Sequence, residues 1–381
     1  MKYSTYFGID SHARTTTIYA HVPDTDDGER RTFRGNDYRE MLEWMKRFPV
    51  PAKGVYESGC TGFVPARELT CEWITVVPIA TSKMPTSDDA RKRKNDKRDA
   101  RQLALWAESA DTLKDVYVPT LEEEGLRDLC NTLEDIKENQ KSSRLRIDGL
   151  LCRHGIVYDE VTKTGRPKKR WGGDFWKWLR SVRLEDKASQ AALEAAIRAA
   201  DSAEEQRREF EKKAREIAME SSLGTTILSL TCLKGVSFIT ALAFCAYVGD
   251  FDRIASGRKC TAYFGLAPRE SSSADKKSMG AITRSGSGLA GKLLVEGAWS
   301  IQRAKVAVRG RKPEGVDDAI WERAVTLSRR LIGHRESMVA NKVGSCKANV
   351  ATAAEMARFM LFLGKESIGL ERESREREEA A

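Results

Sequence analysis

The first 115 residues alternate short β-rich runs with helical ones, and four acids fall where those elements end or begin. The β-rich runs cover 4–10, 15–22, 30–34, 53–57 and 74–79, and helical spacing covers 37–48, 62–72 and 95–109. Asp10 closes the first run and Glu57 the fourth, while Asp96 and Asp99 open the last helix three residues apart, on one of its faces. Short loops between the first three runs predict an antiparallel meander, and Asp37 with Glu40 has capping-box spacing ahead of Met41, Leu42, Met45 and Phe48. Ionised carboxylates gathered within a few ångströms repel one another unless a cation joins them, so convergence of these four predicts a divalent metal site. Hard oxygen donors favour Mg2+, with Mn2+ as the alternative, and two such ions roughly 3.5–4 Å apart can serve both oxygens of a phosphodiester displacement. Taken singly, each acid also has an ordinary reading as a turn cap, an exposed glutamate or part of a solvated helix face.

The element order βββαβαβα resembles the ribonuclease H arrangement, in which neighbouring strands bring Asp10 and Glu57 together and the last helix carries Asp96 and Asp99. The expected fold class is therefore α/β plus α. A RuvC-like, RNase H-like domain spans 1–115, a coiled-coil helical hairpin 116–221, a mostly helical domain 222–365, and a charged tail, read as frayed helix or disordered, 366–381. At 381 residues with 41% hydrophobic content the chain has material for more than one core.

Charge points to the partner. The chain carries 65 Lys and Arg against 56 Asp and Glu, a net +9, concentrated in blocks such as Arg91-Lys92-Arg93-Lys94 and Lys168-Lys169-Arg170. Such blocks suit a polyanion, and the first of them enters the helix of Asp96 and Asp99, which puts a phosphate-attracting rim beside the acids. Eight cysteines stand singly, with no C-x-x-C pair, and only four histidines are present, so neither a zinc site nor a disulfide framework is expected. The longest apolar stretch, 239–248, is too short to cross a bilayer and no apolar signal region opens the chain, so a reducing cytoplasm is the expected compartment and no membrane partner is expected.

Leu126, Leu129, Leu133, Ile136, Gln140, Ser143, Ile147 and Leu150 alternate three and four apart, as a coiled-coil seam does, with a polar middle suited to selecting a specific register. A second charged helical segment, 186–221, follows. Between them 152–183 is basic and aromatic, with Lys168, Lys169, Arg170, Trp171, Trp176 and Trp178. Two readings stand side by side: indoles stacking on bases while cations hold phosphates, or indoles packing the hairpin's end. Downstream, helix, Gly235 turn and helix can present backbone amides to a DNA phosphate. A serine run, Ser271-Ser272-Ser273, then precedes Lys276 and Lys277 in a Gly- and Lys-rich loop.

Together the Gly-Ile-Asp10 strand, the Tyr-Glu57-Ser-Gly turn, Lys94-x-Asp96-x-x-Asp99-Ala, the Gly235-Val turn, Phe264-Gly-Leu-Ala-Pro268 and the stretch from Ser273 to Gly286 resemble the DEDD-type insertion-sequence transposases, the bridge-RNA-guided recombinases. The resemblance covers about 4–365. It implies that the four acids bind magnesium and that a serine shortly after Gly-Leu-x-Pro is the nucleophile, forming a phosphoserine link to DNA. By position that serine is Ser273, with Ser272 the alternative, because the family's usual glycine after the serine is Ala274 here; Lys234 likewise stands where the family often has proline. The resemblance further implies a composite site of acids and serine, a homo-oligomer from dimer to tetramer with the coiled coil as a dimer element, donor and target DNA, a structured noncoding bridge RNA as guide, and a nucleoid-associated life in a bacterial cytoplasm. Three rivals remain: a metal-dependent nuclease or junction resolvase in which water attacks; a sugar-kinase or actin-like ATPase, whose fold also begins with a Gly-Ile-Asp strand but needs a second Gly-rich phosphate loop that this sequence does not show at the right distance; and a non-enzymatic RNA-binding scaffold.

Overall fold

The computed structural model describes residues 3–23, 25, 28–35, 37–80, 96–109, 116–270, 279–283, 286, 288–304, 306–307 and 310–379; within these, nothing is said of the side chains of 96–99, 270, 279 and 378–379. The chain divides into two compact units, Met1–Thr120 and Leu121–Ala381.

In the N-terminal unit β1 (Thr5–Ser11), β2 (Thr15–His21) and β3 (Gly28–Arg34) form the antiparallel meander, and β4 (Ala52–Glu57) and β5 (Ile74–Ile79) extend it in parallel, giving the order β3-β2-β1-β4-β5. The parallel strands need crossovers. Helices α1 (Tyr38–Met45) and α2 (Val64–Leu69) supply them, and α3 (Asp96–Glu108) follows β5. Asp37 caps α1, its Oδ1 accepting from the Glu40 amide at 3.1 Å.

Side-chain parity shows which layer lies where. Phe7, Ile9, Ala52 and Tyr56 join Met41, Trp44, Met45, Ala66 and Leu69 in one core, so these strand positions face α1 and α2. Tyr6, Val55 and Ile79 instead join Leu103 and Ala107, so the alternate positions face α3. Both faces of the central strands are covered, which explains why β1 reads as a buried run rather than an alternating one.

In the C-terminal unit α4 (Leu121–Arg153) pairs with α6 (Lys187–Glu220), and α5 (Gly173–Ser181) packs at the far end of that pair. Buried positions along α4 run Glu123, Leu126, Cys130, Leu133, Ile136, Gln140, Ser143, Ile147 and Leu150. The seam is therefore filled from within the chain, and Cys130 takes the buried place expected for Leu129. Its polar middle has a local partner: Gln140 Nε2 donates to the Glu204 carboxylate, which also accepts from Arg144 at 2.6 Å, Arg207 at 3.2 Å and Arg208 at 3.1 Å. Partial burial alone would raise the Glu204 carboxyl, but hydrogen bonding and charge from Arg207, Arg144 and Arg208 outweigh it and hold the group below the usual value of 4.5. A carboxyl depressed by folding contributes stability that is complete above its unfolded pKa and is lost as pH falls. Glu204→Gln is thus expected to destabilise the helical pair by about 1–3 kcal/mol near neutrality. The difference in melting temperature from wild type should begin to shrink as pH falls below about 4.5, where the unfolded carboxyl takes up its proton, and close only at the lower pH where the native carboxylate is protonated too.

The remaining helices, α7 (Gly224–Thr231), α8 (Phe238–Val248), α9 (Gly257–Tyr263), α10 (Gly288–Ile301), α11 (Asp318–Ala340) and α12 (Ser345–Glu379), enclose a second core around Phe244, Cys245, Phe264, Leu294, Met356 and Met360. The lower ends of α4 and α6 contribute Leu126, Cys130 and Ala218 to it. Helix α12 continues to Glu379, with an i,i+4 pair of Glu373 and Arg377 at 3.4 Å in its charged end, so residues 366–379 are helical rather than disordered. All eight cysteines are free, and burial pushes Cys130 and Cys260 up to about 12 and Cys232 to about 11, which removes them from thiolate chemistry. Among the described residues no helix is long and apolar enough to cross a membrane.

Candidate active site and nucleic-acid contacts

Strand register brings two of the four acids together. Ile9 lies opposite Tyr56 in the parallel β1–β4 pair, so Asp10 and Glu57 come next at the carboxyl ends of adjacent strands. By parity both are on the α3 face, Asp10 half-buried and Glu57 exposed. What draws α3 so close to that face is Gly8. A Cβ built there would stand 1.8 Å from Ala100 O and 2.5 Å from Ala104 N, so the helix backbone rests directly on the strand. Tyr6 clusters with Leu103 and Ala107 while Gly8 abuts Ala100 and Ala104, so helix numbering falls as strand numbering rises. The start of α3, which holds Asp96 and Asp99, therefore heads toward the strand end that carries Asp10. The side chains of Asp96 and Asp99 lie outside the described residues, as do Arg91, Lys92, Arg93 and Lys94. Among the described residues no group of three or more His, Cys, Asp or Glu converges as a metal site.

One neighbour was missed in the sequence. His12 Nε2 lies 3.2 Å from Asp10 Oδ1, with the imidazole about half exposed. It follows Asp10 by two residues and so shares its face, but a lone histidine beside an acid carries no distinctive spacing.

The serine segment lies in the C-terminal unit. Strands β6 (Pro268–Glu270) and β7 (Met279–Ile282) pair antiparallel, and residues 271–278 join them. Ser272, Ser273, Lys276 and Lys277 are in that connection and lie outside the described residues. The base beneath it is tightly packed. A Cβ on Gly286 would meet Tyr263 O at 1.9 Å, and one on Gly291 would meet Phe264 O at 2.6 Å, so both glycines let backbone reach the turn that opens the Phe264-Gly-Leu-Ala-Pro268 run. Gly265 itself has φ +67.

At the end of the helical pair the basic residues are differently placed. Lys168 sits between Glu160 at 2.8 Å and Asp174 at 3.3 Å, and the hydrogen bonds that its ammonium donates to these carboxylates, Glu160 first, raise its pKa. Arg170 pairs with Asp148, and Lys169 is exposed. The indoles pack: Trp171 lies 4.7 Å from Phe175 and 5.5 Å from Trp176, and Trp178 lies 4.9 Å from Tyr158, centroid to centroid. Of the two readings of this insert, packing of the hairpin's end is the one these rings adopt.

Residues 229–312 match the family model described as Transposase IS116/IS110/IS902 family. The chain is also 28% identical to a protein of Sinorhizobium fredii named as transposase y4qE, over 82% of this chain and 75% of that one. In these stretches the chain is similar to insertion-sequence transposases. Two further relatives agree: the transposase for insertion sequence element IS1533 of Leptospira borgpetersenii, 26% identical over 68% of this chain and 73% of that protein, and the transposase for insertion sequence element IS1111A of Coxiella burnetii, 24% identical over 66% and 65%. Within this chain the stretch that matches the family model runs from the end of α7 through the Gly235 turn, α8, α9 and the β6–β7 pair to α10 and beyond.

Proposed function

We propose that this transposase is an RNA-guided DNA recombinase in which Asp10, Glu57, Asp96 and Asp99 hold Mg2+ and Ser273 attacks the scissile phosphate. The observation that carries the reading is the meeting of Asp10 and Glu57 at adjacent strand ends on the face covered by α3, whose first turn bears the other two acids. The sheet order β3-β2-β1-β4-β5, with an antiparallel meander extended by two parallel strands, supports an RNase H-like assignment of that unit. Carboxylate oxygens are the donor set that Mg2+ or Mn2+ prefers, and the bound ion would polarise the phosphate oxygens. A serine hydroxyl is a weak nucleophile at neutral pH and needs such activation. Arg91, Lys92, Arg93, Lys94, Lys276 and Lys277, with exposed Lys169, supply positive charge for donor and target DNA and for a structured guide RNA. Several strand cuts per event call for more than one copy, a dimer to tetramer.

The test is to co-express the protein with its flanking noncoding DNA, sequence the RNA that purifies with it, and assay cleavage of the element's ends. One discrete RNA species and cleavage that stops in EDTA are the expected results. Random RNA fragments would remove the guide from the proposal, and cleavage undiminished by EDTA would remove the metal.

A further inference from the structure

Two hollows in the C-terminal unit meet at the end of α10. One, of about 550 Å3, is lined by Lys234 and Gly235 from the α7–α8 turn and by Trp299, Ser300, Gln302 and Arg303 from the end of α10 and beyond. The other, of about 500 Å3, shares Gln302 with it and adds Arg335 of α11. Their floor is rigid. Gly235 has φ +88, and a Cβ on Gly297 would come within 2.5 Å of Gly235 O, so turn and helix touch backbone to backbone.

Trp299 is 40% exposed, and the Arg335 guanidinium lies 5.6 Å from its ring centre. Arg335 is itself only 3% exposed. Its Nε has no partner, its NH1 donates to Asn349 Oδ1 at a long 3.4 Å, and no carboxylate pairs with it among the described residues. A buried cation without a counter-ion is costly, and the indole face offsets only part of that cost. The arrangement therefore favours an approaching anion and holds the indole as a fixed plate. Lys234 and Arg303 reach the first hollow from different elements, and neither forms an ion pair among the described residues. Arg303 also complements the carbonyl end of α10, but that role does not extend to Lys234 on the α7–α8 turn.

We propose that an unpaired nucleotide docks here, its base stacked on Trp299 and its neighbouring phosphates held by Lys234 and Arg303. An aromatic plate flanked by cations is the general device for single strands, because every base has a π-face and every linkage a phosphate. A duplex keeps its bases paired and cannot use the plate. The apolar surface offered is a single ring, too small to bury a protein partner's core. The proposal rests on the reading of this chain as one that acts on nucleic acid.

The experiment uses the full chain in EDTA, so that nothing is cut, and titrates labelled strands of about 12 nucleotides, DNA and RNA, beside a duplex of the same sequence. Trp299→Ala is expected to weaken binding of one or both single strands roughly tenfold while leaving the duplex unchanged, and Trp299→Phe to keep most of the affinity. Lys234→Gln and Arg303→Gln should each reduce the slope of log K against log salt by about 0.7. Because the indole is at the surface, the melting temperature of Trp299→Phe serves as the fold control. Single-strand affinity unchanged in Trp299→Ala would overturn this site alone, whereas a wild-type protein that binds no strand would overturn the wider reading with it. If Trp299→Ala left strand binding intact and instead dissociated an oligomer in sedimentation, the surface would belong to a second copy and the proposal would be wrong.

Discussion

An alanine at position 8 is expected to destabilise the N-terminal unit by about 3 kcal/mol and to reduce DNA cleavage by roughly 100-fold or more. The new methyl would stand 1.8 Å from Ala100 O, 2.5 Å from Ala104 N and 2.9 Å from Ala100 C, all backbone atoms of α3. No rotamer change can relieve a clash with backbone, so the helix must retreat on the order of 1.5 Å to restore ordinary van der Waals separation. Retreat loosens Leu103 and Ala107 from Tyr6, Val55 and Ile79, and it carries residues 96 and 99 away from the Asp10 strand end. Misplacement of a reacting group by about 1 Å can cost a hundredfold in rate. Gly54→Ala is the control. Its methyl would meet Val76 Cγ2 at 2.9 Å and Ile9 Cδ1 at 3.3 Å, side-chain atoms on the face away from α3, so it should lower the melting temperature while its folded fraction cleaves near the wild-type rate. Wild-type cleavage by folded Gly8→Ala would show that the seat of α3 does not govern the chemistry.

The contrast between Gly8 and Gly54 also marks how far the sequence can be read. Strand runs, the meander and the Asp37 cap were legible because each depends on residues close in the chain, where β-rich composition, short loops and i,i+3 spacing speak directly. The placing of Asp10 and Glu57 at neighbouring strand ends followed from element order. That Gly8 is the contact point for α3 was not legible, since one glycine in a strand does not say what approaches it. The seam of α4 was legible as a seam, but its partner was not: Gln140 and Ser143 read equally well as facing another copy, and only the Glu204 cluster ties them to α6. The tryptophans of 171–178 illustrate the same limit, because packing against Phe175 and Tyr158 needs exactly the aromatic content that base stacking would need. The tail lacked apolar periodicity beyond 366, yet α12 carries Ile368 against the core and extends from that anchor. Trp299, by contrast, gave no signal at all, being one aromatic at the end of an apolar helix.

Ser273→Ala is expected to abolish the covalent protein–DNA adduct and to lower strand exchange by roughly 1,000-fold or more, the scale of loss when a nucleophile is removed. Ser272→Ala should keep both, since Ser273 stands five residues after Pro268 where the resemblance puts the reactive hydroxyl. Trapping the reaction in denaturant and sizing the labelled DNA reads the adduct directly. Asp10→Asn supplies the second arm. It keeps the shape of the side chain but removes the charge that would hold the metal, so adduct and cleavage should vanish together while nucleic-acid binding persists. The two variants separate chemistries that rate alone cannot. Where serine attacks, removing its hydroxyl leaves no bond to DNA and no stored phosphodiester energy for rejoining. Where water attacks, Ser273→Ala cleaves normally and leaves free ends, Asp10→Asn alone is inactive, and the chain acts as a hydrolytic nuclease. Adduct retained in Ser273→Ala but lost in Ser272→Ala would move the nucleophile by one residue without disturbing the rest.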